Sequence, residues 1–208
     1  MVLAFGAGTA SSQDSSNSLV SRRLTEYLTP AASGTHDQLI KIELNPITEE
    51  PTAFQSFPMG NNSKSGLHGV WPSELYPGKM WLSLQWENKL LLVYPGQNLS
   101  AVPSIIKTIN IPEPGNSPHC IFEIGNRVWA GLKDASEQTG QYYFFSADIS
   151  NSTDQKLYPC LKNPVFIKEE PATKLIYVTQ DTESSIMRIN ATSGSCRFRQ
   201  TSAARQSE

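Results

Sequence analysis

A chain of 208 residues sets 17 Lys and Arg against 19 Asp and Glu, for a formal net charge of -2, with 38% hydrophobic and 17% charged residues. The near-balance of charge argues against a protein built mainly to hold nucleic acid, which shows a basic excess or stripe. Fourteen Pro and thirteen Gly interrupt the chain too often for long helices, and no apolar run approaches the ~18 residues that span a bilayer.

In chain order, Met1 to Phe5 is apolar but lacks the charged start and the length of a secretory signal. Residues 6–21 are small and polar, so 1–23 is expected to be a disordered leader. A single domain is expected over 24–196, with a flexible tail over 197–208. Three segments then line up: Leu67 to Gln97, Pro118 to Ser150 and Pro164 to Gly194. Their aromatic anchors Trp81, Trp129 and Tyr177 are 48 residues apart. An incomplete copy, His36 to Pro46, places Leu44 48 residues before Leu92.

Each copy is a series of short runs rich in Val, Ile, Leu and aromatics, bounded by turn residues, which is a strand pattern. KMWLSL, RVWAGL and KLIYVT read as second strands, KLLLVY, YYFFSAD and SSIMRIN as third, and SIIKTINIP and QKLYPCL as fourth. Four antiparallel strands recurring every ~40–50 residues mark the blade of a β-propeller. The expected fold is therefore all-β, a propeller of four-stranded blades on a ~48-residue repeat. About 3.6 blades fit after Thr35. The chain is then either a four-bladed ring that takes Leu24 to Pro30 as a strand, or an incomplete larger propeller. The competing reading is a β-sandwich with coincidental spacing. An open stack leaves edges that closure, or a homodimer completing the ring, would cover.

The cysteines Cys120, Cys160 and Cys196 contain no C-x-x-C pair and can form at most one disulfide, which fits three buried small side chains. N-x-S/T sequons at Asn61, Asn98, Asn151 and Asn190 lean toward a secreted glycoprotein but leave the compartment open. There is no G-x-S-x-G, P-loop, H-E-x-x-H or dinucleotide fingerprint.

Chemistry is expected on one rim. In antiparallel blades the start of the first strand and the end of the second share an edge. That edge gathers His68 and His119 with Gln85, Trp86, Lys133, Asp134, Gln180 and Asp181. His68 and His119 occupy equivalent positions and are the candidate catalytic pair, able to donate a hydrogen bond or move a proton near neutral pH. The bland alternative is that each only caps a turn. Val165 stands at the third position, so a symmetric three-histidine metal site is excluded. Trp71, Gln85, Trp86, Lys133, Asp134 and Gln180 are candidate substrate contacts, while Trp81 and Trp129 read as core. A direct Cys120–His119 contact is not expected, because adjacent strand residues point to opposite faces.

The segments LTEYLTP, SGLHGVWPSELYPGKMWLSLQWENKLLLVY and NSPHCIFEIGNRVWAGL resemble the streptogramin (virginiamycin B) lyase-like propellers. They are also similar to divergent fungal natural-product propellers, hetero-Diels–Alderases among them. The resemblance implies a lyase or pericyclase acting on a small apolar organic molecule in secondary-metabolite biosynthesis. The lyases use Mg²⁺ and carry a Glu after the second-strand Trp-Phe-Thr. Here that place holds Leu84, Leu132 and Gln180, and leucine cannot ligate a hard cation. No metal or cofactor is therefore expected. The alternatives are a non-catalytic propeller that binds a macromolecular partner on the same face, and a Mg²⁺-dependent lyase of the streptogramin type.

Overall fold

The protein is described by a computed structural model covering residues 2–4, 24–29, 38–61, 65–181, 185–190 and 196–200. Among them are four antiparallel sheets of four strands, each strand paired with its neighbour in sequence. Sheet 1 holds β1 (Val2–Ala4), β2 (Leu24–Thr29), β3 (Gln38–Leu44) and β4 (Pro51–Pro58). Sheet 2 holds β5 (Leu67–Pro72), β6 (Met80–Leu84), β7 (Lys89–Tyr94) and β8 (Ser104–Asn110). Sheet 3 holds β9 (Pro118–Ile124), β10 (Arg127–Leu132), β11 (Tyr142–Asp148) and β12 (Gln155–Cys160). Sheet 4 holds β13 (Pro164–Glu170), β14 (Leu175–Gln180), β15 (Ser185–Asn190) and β16 (Cys196–Gln200). The architecture is an incomplete β-propeller.

Most of the expected leader lies outside the described residues, but β1 falls within it. The expected tail is described only as far as Gln200, and β16 occupies that part. Among the described residues no helix is long and apolar enough to cross a membrane.

Turn chemistry sets the hairpins. Gly125, with φ 60°, takes the first of the two loop positions between β9 and β10, as a type II′ turn requires. Pro77 and Gly78, the latter with φ 78°, precede β6.

Burial then stacks the sheets in sequence. Met80, Leu82 and Leu84 face sheet 1, where Leu39 and Met59 meet them. Trp81, Leu90 and Leu92 face Ile121, Val128 and Phe145 of sheet 3. Phe122, Trp129 and Phe144 face Ile176, Val178 and Met187 of sheet 4. Sheet 2 is covered on both sides, so every residue of β6 is buried. Trp81 and Trp129 are core, as expected, but Tyr177 is 36% exposed because no sheet among the described residues covers that side of β14.

Polar links cross the same junctions. The buried Glu123 carboxylate on β9 accepts from Trp81 Nε1 at 2.7 Å, Ser73 Oγ at 2.7 Å and Leu75 N at 2.6 Å, tying sheet 3 to sheet 2. Buried Lys41 on β3 donates to the carbonyls of Asn98 and Ala101 in the β7–β8 loop. Burial holds its ammonium below the usual lysine range.

Candidate functional site

The first strands of sheets 2, 3 and 4 share an irregularity. Leu67 pairs with Leu84 and Val70 with Leu82, so β5 carries one residue more than β6 over that interval. The same holds between Pro118 and Ile121 on β9, and between Pro164 and Ile167 on β13. Each is a β-bulge, which turns side chains out of strict alternation. The bulged pairs are His68 and Gly69, His119 and Cys120, and Val165 and Phe166. His68, His119 and Val165 are thus equivalent by register.

The bulges bring two blades into contact. A Cβ on Gly69 would stand 2.6 Å from the His119 carbonyl oxygen and 2.9 Å from Ser83 Oγ, so only glycine allows this approach. Ser83 Oγ bridges the gap, accepting from Gly69 N and donating to His119 O, each at 2.7 Å. With the backbones so held, the imidazoles of His68 and His119 lie face to face, with ring centroids 3.5 Å apart and planes inclined by 32°.

Burial and neighbouring charge lower the pKa of both rings. Burial, then the charges of His68 and Lys133, lower the His119 pKa to about 4, against a smaller opposing effect of Asp134. Burial and Lys133 also hold His68 below the usual histidine range. His119 Nδ1 lies 3.1 Å from Cys120 Sγ, the contact that strand alternation argued against. The reason is the bulge, which places both residues in the unpaired interval. Burial raises the Cys120 pKa to about 11, so the group is a thiol at neutral pH rather than a nucleophilic thiolate.

Lys133 and Asp134 are exposed and act on the pair. Gln85 is buried and Trp86 53% exposed in the 3-10 turn Gln85–Glu87, which packs against β9. Gln180 lies at the equivalent rim of sheet 4, where its Oε1 accepts from Leu161 N at 2.9 Å and Lys162 N at 3.1 Å. Trp71 belongs to packing: its ring centroid lies 4.9 Å from that of Phe122, at the junction of sheets 2 and 3, and its indole N–H has no hydrogen-bond partner among the described residues. Sequence reasoning missed Ser83 and Gly69, which set the spacing of the pair, and no motif marks them.

Among the described residues there is no group of three or more His, Cys, Asp or Glu that could hold a metal ion. At the places where a lyase of the resembling family carries carboxylates, Leu84 and Leu132 are buried apolar side chains, and the Gln180 oxygen already accepts two backbone N–H groups. These residues do not fit a hard cation.

No family model and no curated protein matches the chain. Among solved structures it is similar to the WD40 domain of Toxoplasma gondii coronin, at 9% identity and a TM-score of 0.63, over 86% of this chain and 43% of that one. It is also similar to a luciferin-regenerating enzyme, at 14% identity and a TM-score of 0.58, over 86% and 57% of the two chains. A third is a functionally unknown protein from Desulfotomaculum acetoxidans, at 12% identity and a TM-score of 0.53, over 84% and 50%. These likenesses show the fold alone, shared by proteins of mixed function. The chain spans about half the length of the structures it matches.

Proposed function

We propose that this chain is a small-molecule enzyme, a lyase or pericyclase of natural-product type, which holds a largely apolar organic substrate against His68 and His119 at the mouth of the propeller channel. The observation that carries this reading is the ring contact between imidazoles from two different blades, beside an exposed lysine and an exposed aspartate. A structural histidine that only caps a turn has no need of a second imidazole stacked on it.

A neutral imidazole offers one N–H donor and one acceptor nitrogen. With its pKa near 4, His119 keeps that form throughout the physiological range, so it serves as a hydrogen-bonding group and not as a general acid. One imidazole N–H and the Lys133 ammonium can polarise a carbonyl or quinone-type oxygen of the substrate. Orientation of the substrate supplies the larger share, on the order of 7–11 kcal/mol for a well-placed pair of reacting groups. The resemblance of the carrying segments to streptogramin-lyase-like and Diels–Alderase-like propellers supports this substrate class. No step is drawn through Mg²⁺, because the residues at its expected position do not fit it.

A second reading, a non-catalytic propeller that binds a macromolecular partner on the same face, is favoured by the half-exposed Trp86 in the 3-10 turn that packs against β9. Thermal stabilisation by small quinone- and terpene-like compounds distinguishes the two. Such compounds should raise the melting temperature of the wild type and leave a folded H68A/H119A variant unshifted. Equal shifts in both proteins would overturn the histidine assignment. A stable complex with a macromolecule and no small-molecule shift would replace the enzyme reading with the second.

A further inference from the structure

We propose that two copies of this chain close one eight-bladed ring, with the outer face of sheet 4 in each copy docking on the open face of sheet 1 in the other. Two of the junctions inside the chain are each tied by a cation on the third or fourth strand of one sheet that reaches the third-to-fourth-strand turn of the next. Lys41 on β3 reaches the carbonyls of Asn98 and Ala101 in the β7–β8 loop. Lys107 on β8 reaches the carbonyl of Ile149, just past β11.

Register carries this device to the end of the stack. Trp81 pairs with Leu92 and Leu92 with Lys107; Tyr177 pairs with Arg188 and Arg188 with Arg197. Since Trp81 and Tyr177 are equivalent anchors, Arg197 is the counterpart of Lys107. Arg197 is exposed, and among the described residues neither it nor Arg188 makes an ion pair. Two arginines paired directly across strands repel each other, a cost that an acidic partner removes.

The missing receptor is at the other end. Sheet 1 has its own third-to-fourth-strand turn, Asn45 to Glu50, where Glu49 and Glu50 are exposed. By topology this turn lies on the same edge of the disc, and at the same outer radius, as Arg188 and Arg197. The apolar surfaces match as well. Phe54, in register with Ile42 on sheet 1, is 76% exposed; on sheet 4, Tyr177 and Ile186, the latter in register with the exposed Thr179, are each 36% exposed. Among the described residues, the substantial packing runs from sheet 1 to 2, 2 to 3 and 3 to 4. Four blades and four blades make eight, within the range at which propellers close. Two identical head-to-tail contacts close such a ring without leaving an edge.

Light scattering coupled to gel filtration of the full chain tests this. The expected mass is twice 23.0 kDa. Arg197→Glu and Phe54→Asp, both at exposed positions outside the core, should each reduce it to 23.0 kDa, and the charge swap R197E/E50R should restore the dimer. A wild-type monomer would overturn the proposal, as would a species larger than two copies. A dimer indifferent to both single substitutions would show that another surface pairs the chains.

Discussion

His119 shows how a single position can report on the whole junction around it. Its pKa near 4 lies below the unfolded value of 6.5 because the folded site disfavours the charged ring. As pH falls below 6.5 the unfolded chain takes up a proton that the folded chain refuses until about pH 4. Stability is therefore whole above pH 6.5 and declines as pH falls through that window, with His68 acting in the same direction. Urea unfolding followed across this range should show the decline in the wild type and a flatter profile in H119N. A wild-type stability that rises toward acid would contradict the burial assigned to the ring. The same scale explains what the sequence concealed. His68 and His119 were legible as equivalent positions, but their contact with each other, and that of His119 with Cys120, depends on one extra residue in each first strand. The bulge in PHCI leaves no compositional signature, and in LHGV a lone glycine within the strand is its single trace. Gln180 and Trp71 were legible as rim and aromatic candidates, yet backbone N–H groups occupy the first and Phe122 packs against the second.

At the scale of the strand and its neighbour, close approach decides more than side-chain bulk. Ser83 and Gly131 are equivalent second-strand positions, and each faces a carbonyl of the next blade's first strand, that of His119 and that of Pro164. The first junction is bridged by a hydroxyl, whereas at the second the glycine backbone lies directly against the carbonyl. A methyl group at Gly131 would overlap Pro164 O, and one at Gly69 would overlap His119 O. Gly69→Ala and Gly131→Ala should each cost about 1–3 kcal/mol, as overpacking does, read from chemical denaturation. Gly78→Ala serves as the control: a Cβ there meets nothing within 4 Å, so only the strain of its φ of 78° opposes it, at about 1 kcal/mol. Equal costs at all three positions would mean that crowding is not what selects glycine. Strand identities were largely readable in advance, since KLLLVY is β7 and QKLYPC is β12, because each run is short, apolar and closed by turn residues.

At the scale of the molecule, the four sheets are unequal. Sheets 2 and 3 are covered on both faces, with Trp81 and Trp129 at 0% and 1% exposure, while sheet 4 alternates between buried and exposed along β14. Tyr177 could be predicted to sit at the repeat's anchor position but not to be uncovered, because spacing along a chain does not say which faces of a blade are packed against another. Regions with fewer buried contacts open first. Hydrogen exchange should accordingly be slowest for amides of β6, β7, β10 and β11 and faster by at least tenfold in β14, corresponding to about 1.4 kcal/mol of local stability. Uniform protection across the sheets would mean that the stack unfolds as one unit.

The Ser83 hydroxyl is at once the acceptor for the backbone beside His68 and the donor to the backbone of His119. The strands that carry both imidazoles are therefore tied through one oxygen, and this hydroxyl sets the separation of the two backbones from which the rings project.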